Sequence, residues 1–306
     1  MKARTLKSDL LLLLAALIWG FAFVAQRVGM DYVGPFLFNG VRFALGTSFL
    51  IPFYFLSNRS RRETSTREID SRIKWLGGIY AGVIVFGGAS FQQIGLVYTT
   101  AGKAGFITGL YVIIVPILGL FWKQKTLFNT WLGAVFATVG LYLLSVTQNF
   151  TVEFGDFLVL IGAFFWAAHV QIIGWLTTHI RPIRIAIIQF AVCSILSLIV
   201  ALFIETIRID RLLQALVPIL YAGFLSVGIA YTLQVIAQKH APPAHAAILL
   251  SLEAIFAVLG GWMVLGEMLT LREMVGSLLM LIGMILSQLR FGAAGVHSKA
   301  LREEVP

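Results

Sequence analysis

Ten apolar stretches, each about the 20 residues a helix needs to cross a bilayer, occupy almost the whole chain. They run over residues 8–28, 35–56, 73–96, 101–122, 128–147, 154–176, 183–204, 213–237, 243–265 and 270–289. What remains between them cannot bury so much apolar surface in water. The stretches carry glycine freely and lack the alternation of barrel strands, so the chain is expected to be an all-α integral membrane protein with ten transmembrane helices. Composition agrees: only 12% of the residues are charged, against roughly a quarter in a soluble domain. The connections are short except for residues 57–72, a polar, basic loop that reads as a solvated topology determinant.

The net charge of +9 does not indicate nucleic acid, because the basic residues cluster at span ends and no soluble domain remains to hold a binding face. With the N-terminus inside, the cytoplasmic segments collect Lys2, Arg4, Lys7, Arg59, Arg61, Arg62, Arg67, Arg72, Lys74, Lys123, Lys125, Arg181, Arg184, Lys239, Arg290, Lys299 and Arg302. The opposite side receives only Arg27, Lys103, Arg208, Arg211 and Arg272. The positive-inside rule then places both termini in the cytoplasm and the chain in the inner membrane, with tails over 1–7 and 291–306. The first stretch also has the look of a secretory signal peptide, with a basic start and a leucine run. It has a counterpart deep in the chain, which argues for a true span.

That counterpart belongs to an internal repeat. Asp9, Trp19, Pro35, Phe43 and Ala44 match Asp156, Trp166, Pro182, Phe190 and Ala191 at one constant offset. Tyr80-Ala81-Gly82 recurs as Tyr221-Ala222-Gly223, Gln93 as Gln234, and the pair Gly133 and Gly140 as Gly276 and Gly283. Residues 8–148 and 154–290 are therefore expected to be two copies of one five-helix unit. Five is odd, so the second copy enters upside down. This predicts an inverted repeat with a site near the midplane between the halves.

The ninth stretch carries the deepest carboxylate of the chain, Glu253. An ionised group there costs at least ~2.5 to 3.5 kcal/mol on insertion scales, so it should face protein or a watery cavity. Two roles are open to it: a fixed partner of Arg42, at similar depth in the second stretch, or a cavity group that binds a substrate ammonium or carries a proton. Its repeat-equivalent is Tyr111. Trp19 and Trp166 both fall about halfway through their spans, where they suit two walls of a cavity better than the interfacial belt. Gln93, Gln234, His169 and Tyr231 are further polar groups within spans that need partners or substrate. Lys103 and His245 are repeat-equivalent and sit at opposite ends of their spans, as gates or as snorkelling anchors.

The residues also resemble a known family. TrpGly in the first span, Arg42-Phe43 in the second, Pro116 in the fourth, and SerLeuGlu…GlyTrp…LeuGlyGlu from Ser251 to Glu267 look like the EamA-type drug/metabolite transporter superfamily. The likeness extends over roughly residues 8–290. Ala254 departs from the Pro that often follows the ninth-span Glu, and Lys125 stands where the first half often carries an acid. The resemblance implies alternating access around a cavity lined by the first, third and fourth spans and their counterparts, with Arg42 on scaffold.

Together these readings predict a secondary transporter, an exporter of small organic metabolites such as amino acids. Trp19, Trp166, Tyr111, Glu253, Gln93, Gln234, His169 and Tyr231 are its substrate-binding candidates. Glu253 is also the candidate for proton coupling, Lys103 and His245 for gating, and Arg42 for a structural ion pair. The expected partners are a small-molecule substrate, membrane lipids and, with coupling at Glu253, protons; monomer and homodimer both remain open. No cofactor is expected: the single cysteine and dispersed histidines offer no metal site, and the run around Gly102-Lys103 lacks the glycine and hydroxyl of a phosphate loop. The alternative class is an intramembrane enzyme acting on a lipid or isoprenoid, although no HExxH, GxSxG or paired aspartates are present.

Overall fold

The computed structural model describes residues 2–59, 71–122, 128–145 and 152–288, and every regular element in them is helical. Much of the basic loop at 57–72, Lys123, Lys125 and the C-terminal tail lie outside the described residues. In the first half, α1 (Lys2–Gly29), α2 (Pro35–Arg59) and α3 (Ser71–Tyr98) are continuous rods. The fourth rod is two helices, α4 (Ala101–Gly109) and α5 (Tyr111–Gly119), and α6 (Phe128–Ser145) follows. In the second half come α7 (Phe154–Leu176), α8 (Pro182–Ile204) and a short α9 (Ile209–Gln214). One further rod joins α10 (Leu216–Leu220), a π-helical stretch (Tyr221–Tyr231) and α11 (Thr232–Gln238). Another joins α12 (Pro243–Ser251), α13 (Glu253–Gly260) and a π turn (Gly261–Leu265), before α14 (Leu271–Gln288). Eight rods are long and apolar enough to cross a membrane. The apolar part of α6, Trp131–Leu144, is shorter, and α14 is not among the eight.

Local chemistry sets the ends. Thr100 caps α4, its hydroxyl accepting from the Lys103 N–H at 3.2 Å. Pro243 opens α12 at a position whose N–H would have no helical partner in any case. Gly266, at φ 66°, ends the ninth rod in the left-handed region that a side chain disfavours. Thr270 and Glu273 form a capping box at the head of α14: the Thr270 N–H donates to the Glu273 carboxylate at 2.8 Å and the Glu273 N–H to the Thr270 hydroxyl at 3.3 Å.

The packing is organised by small residues. α2 lies on α8, α3 on α7 and α8, α1 on the π stretch, α11 and α13, and α4 on α13. One contact occurs twice with the halves exchanged. A methyl built on Gly82 would meet Val192 and the Gln189 carbonyl oxygen, and one built on Gly223 would meet Leu45 and the Arg42 carbonyl oxygen. These are the repeat-equivalent atoms. α6 and α14 run antiparallel along each other, with Gly140 against Gly276 and Gly283 against Gly133. Without a hydrophobic driving force between helices in lipid, such backbone-to-backbone approach supplies the dispersion contacts that hold the bundle.

The fourth and ninth rods break at equivalent places. Leu110 (φ −59°, ψ −17°) separates α4 from α5, and Leu252 (φ −62°, ψ −14°) separates α12 from α13. Tyr111 and Glu253 are therefore each the first residue of a half-helix inside the bundle. Pro116, which has no N–H to donate, stands a turn and a half beyond the first break, but nothing comparable follows the second.

Candidate functional site

The breaks and the π stretch meet at one cavity. Its lining draws on α1, α2, α3, α4, α5, α7, the π stretch, α11, α12 and α13. Tyr111 and Glu253, each just past an irregular turn, both line it, and polar side chains within a membrane bundle can face such a space without facing lipid.

Tyr231 is its aromatic hub. Trp19 packs edge-on against it at 4.5 Å between centroids, Trp166 lies at 5.9 Å and His169 at 6.3 Å. Behind it, Phe43 and Phe190, repeat-equivalents of each other, are in contact at 5.9 Å. Both indoles are tethered. Trp19 Nε1 donates to the Ser226 carbonyl oxygen at 3.2 Å, in the π stretch. Trp166 Nε1 donates to Gln92 Oε1 at 2.8 Å, and Gln92 Nε2 donates to Gln26 Oε1 at 3.2 Å. His169 Nε2 is 3.0 Å from Gln189 Oε1.

Glu253 faces Tyr111 across this cavity, its repeat-equivalent in sequence and its neighbour in space. The Tyr111 hydroxyl interacts with the carboxyl group but stops short of a well-formed hydrogen bond. A methyl on Gly20, the residue after Trp19, would lie 2.2 Å from Phe256 Cβ and 2.8 Å from the Glu253 carbonyl oxygen. Glycine there is what lets α1 close on α13 beside the carboxylate.

Arg42 does not pair with Glu253, and the structural ion pair expected from the sequence is corrected here. Among the described residues its guanidinium has no carboxylate partner, and its Nε has no hydrogen-bond acceptor. It lies over the Phe43 and Phe38 rings at 5.0 and 5.6 Å and lines the cavity. The reason lies in its surroundings: the groups packed on the guanidinium are the rings of Phe38 and Phe43, from its own helix.

Lys103 and His245 sit at opposite ends of the bundle, outside the cavity lining. Lys103 Nζ bridges Glu273 at 2.8 Å and Glu153 at 3.2 Å, with Asp156 beside it and bonded to the Thr99 hydroxyl. Next to Lys103, Glu267 caps α4 by accepting from the Ala101 and Gly102 N–H groups at 2.8 and 3.0 Å. A polar vestibule of about 1020 Å³, open solvent included, lies over this end. At the other end His245 Nε2 meets Asp9 Oδ1 at 2.7 Å.

A model of the EamA-like transporter family matches residues 6–146 and again residues 153–289. The chain belongs to that family. Among similar proteins, an uncharacterized transporter of Archaeoglobus fulgidus is 34% identical over 288 residues, covering 94% of this chain and 87% of the relative. The uncharacterized transporter YoaV of Bacillus subtilis is 22% identical over 289 residues, covering 90% and 94%. A protein of known crystal structure matches 92% of this chain and 97% of its own with a TM-score of 0.68 at 16% identity, a likeness of fold. This EamA-like chain is thus a membrane transporter in general terms.

Of the sequence candidates, Trp19, Trp166, Tyr111, Glu253, Gln234, His169 and Tyr231 all line the one cavity. Gln93 does not: it is fully buried, with its Nε2 donating to the Gln26 carbonyl oxygen at 3.1 Å. The reading from sequence missed Gln26, Phe23, Thr108 and Ser226 in the lining. Gln26 had a signal available, since a buried glutamine on the same span as Trp19 must find a polar partner, and the run Gln92-Gln93 offers one. Ser226 lies in the π stretch, where its carbonyl oxygen accepts from Trp19, and no sequence pattern marked that stretch.

Proposed function

We propose that the chain is a secondary transporter that moves small organic metabolites, amino acids foremost, by alternating access at the Trp19–Trp166–Tyr231–Glu253 cavity. The observation that carries this reading is an aromatic-walled cavity inside the bundle whose lining includes buried polar side chains and one carboxylate, Glu253. Export across the inner membrane, ten spans as two inverted five-helix units, and both termini in the cytoplasm belong to the same proposal. The charge distribution of the sequence and the exchanged Gly82 and Gly223 contacts support it. Glu253 is the coupling group in this scheme: alternately protonated and ionised, it exchanges a proton for the solute ammonium. Lys103 with its acids, and His245 with Asp9, close the two ends in turn.

The test is uptake and counterflow in proteoliposomes with amino acids, amines and sugars, with and without a pH gradient, for the native chain and Glu253→Gln. Saturable flux of at least one solute class is expected, following the gradient in the native chain and losing that dependence in the variant. Gradient-independent flux that the variant reproduces would remove Glu253 from the mechanism. Absence of flux for every solute from folded protein would defeat the transport reading.

A further inference from the structure

A guanidinium buried in a membrane bundle with no counter-ion among the described residues is the least expected group of this structure. Arg42 is 2% exposed, on a helix the sequence reading assigns to scaffold. Arginine stays protonated in proteins, and a buried cation is tolerated when a carboxylate or a set of acceptors meets it. Phe38 and Phe43 supply ring faces only. Contacts of that kind are worth about 0.5 to 2 kcal/mol and leave the N–H fork unused. The fork borders the cavity, and Nε is left without an acceptor.

The other unmet groups of the lining are sorted by chemistry. The unbonded Gln234 Oε1 only accepts hydrogen bonds, Arg42 only donates, the unbonded Thr108 and Tyr111 hydroxyls can do either, and the Glu253 carboxyl group beside them accepts when ionised. The cation and the carboxylate line the cavity together with Tyr231, and among the described residues they form no ion pair with each other. A plain amine would satisfy Glu253 and leave Arg42 unmet; a plain carboxylate would do the reverse. One small solute with a carboxylate at one end and an ammonium at the other meets both.

We infer that Arg42 is the residue that binds the solute's carboxylate, and that with Glu253 it selects zwitterions over amines and over simple carboxylates. This rests on reading the cavity as the transport site. It assigns to Arg42 a binding role in place of a structural one. A guanidinium fork matches a carboxylate in two hydrogen bonds, which a lysine ammonium does not reproduce.

The experiment uses three probes that share leucine's isobutyl side chain: leucine, its decarboxylated amine 3-methylbutylamine, and its deaminated acid 4-methylpentanoate. Binding is read as the shift in thermal unfolding of the detergent-solubilised full chain, and flux as counterflow in proteoliposomes. Native protein is expected to favour leucine over either analogue by about thirtyfold or more, the ratio expected when one member of a buried charge pair loses its partner. Arg42→Met should lose that preference over the amine and keep its preference over the acid, and Glu253→Gln should show the opposite pattern. Arg42→Lys should weaken leucine binding while keeping selection against the amine. Without solute, Arg42→Met should unfold no earlier than the native chain, because an unpaired buried charge has been removed.

If Arg42→Met binds leucine and the amine with native preference, or if native protein is stabilised equally by amine and amino acid, the assignment of Arg42 is overturned while transport stands. Early unfolding of Arg42→Met together with native selectivity in Arg42→Lys returns Arg42 to a structural role. No shift with any of the three probes overturns the inference, and flux of a solute lacking a carboxylate then leaves the transport reading intact.

Discussion

At the scale of single residues, the two indoles look equivalent in sequence and are held by different means. Trp166 donates within a buried side-chain relay, Trp166–Gln92–Gln26, whereas Trp19 donates to a backbone carbonyl at a part-buried place. Replacing Trp166 by Phe leaves Gln92 Oε1 without its donor inside the bundle, at a cost of about 1 to 3 kcal/mol. Trp19→Phe keeps a ring on Tyr231 and gives up one less buried bond, about 1 kcal/mol. The expected order in thermal unfolding is native, then Trp19→Phe, then Trp166→Phe; a reversed order would show that the glutamine relay is not what fixes Trp166. Residue types and the repeat made about half of this lining legible, because aromatic and polar groups at equivalent depths have few other reasons to be there. The failures have one cause. Gln93 and Gln26 differ in whether they face the cavity, and Arg42 differs from a paired arginine only by distances across the bundle, neither of which a linear sequence carries.

At the scale of elements, two glycines on different rods separate packing from backbone conformation. A methyl on Gly140 would sit 2.5 Å from the Gly276 carbonyl oxygen, a backbone atom that cannot swing aside, so Gly140→Ala must push α6 off α14. Gly266 has nothing within 4 Å of an added methyl but holds φ at +66°, so Gly266→Ala costs only left-handed strain, about 1 to 2 kcal/mol. Gly140→Ala is expected to lower the unfolding midpoint more than Gly266→Ala, and equal losses would mean that the α6–α14 seam is loose. Helix existence and order were readable from hydropathy, and the glycine repeat marked the seam where Gly140 meets Gly276. The breaks at Leu110 and Leu252 were not readable, because neither is glycine or proline and both keep right-handed dihedrals. Nor was the π stretch over Tyr221–Tyr231, since one extra residue per turn changes the hydrogen-bond partner without changing the apolar pattern.

At the scale of the whole molecule, the two ends carry equivalent positions with unequal chemistry. At one end Lys103 lies between Glu153 and Glu273; at the other His245 meets Asp9 in a contact that is ionic only when the imidazole is protonated. If alternating access operates, the Lys103 end is the harder to open, because two carboxylates must give up one ammonium before the vestibule can join the cavity. Neutralising Lys103 leaves those carboxylates, with Asp156 nearby, facing one another, so the same change that removes the tie adds repulsion. Thr108 lines the cavity on the helix that bears Lys103, and the native Cys193 is fully buried, so a cysteine at 108 is the reactive thiol of choice. A membrane-impermeant maleimide applied from the Lys103 side should label Thr108→Cys several-fold faster in a Lys103→Gln background. His245→Ala should speed labelling from the opposite side instead. If Lys103→Gln leaves the rate unchanged while the protein stays folded, the ion pairs at that end are anchors of α14 and not a gate.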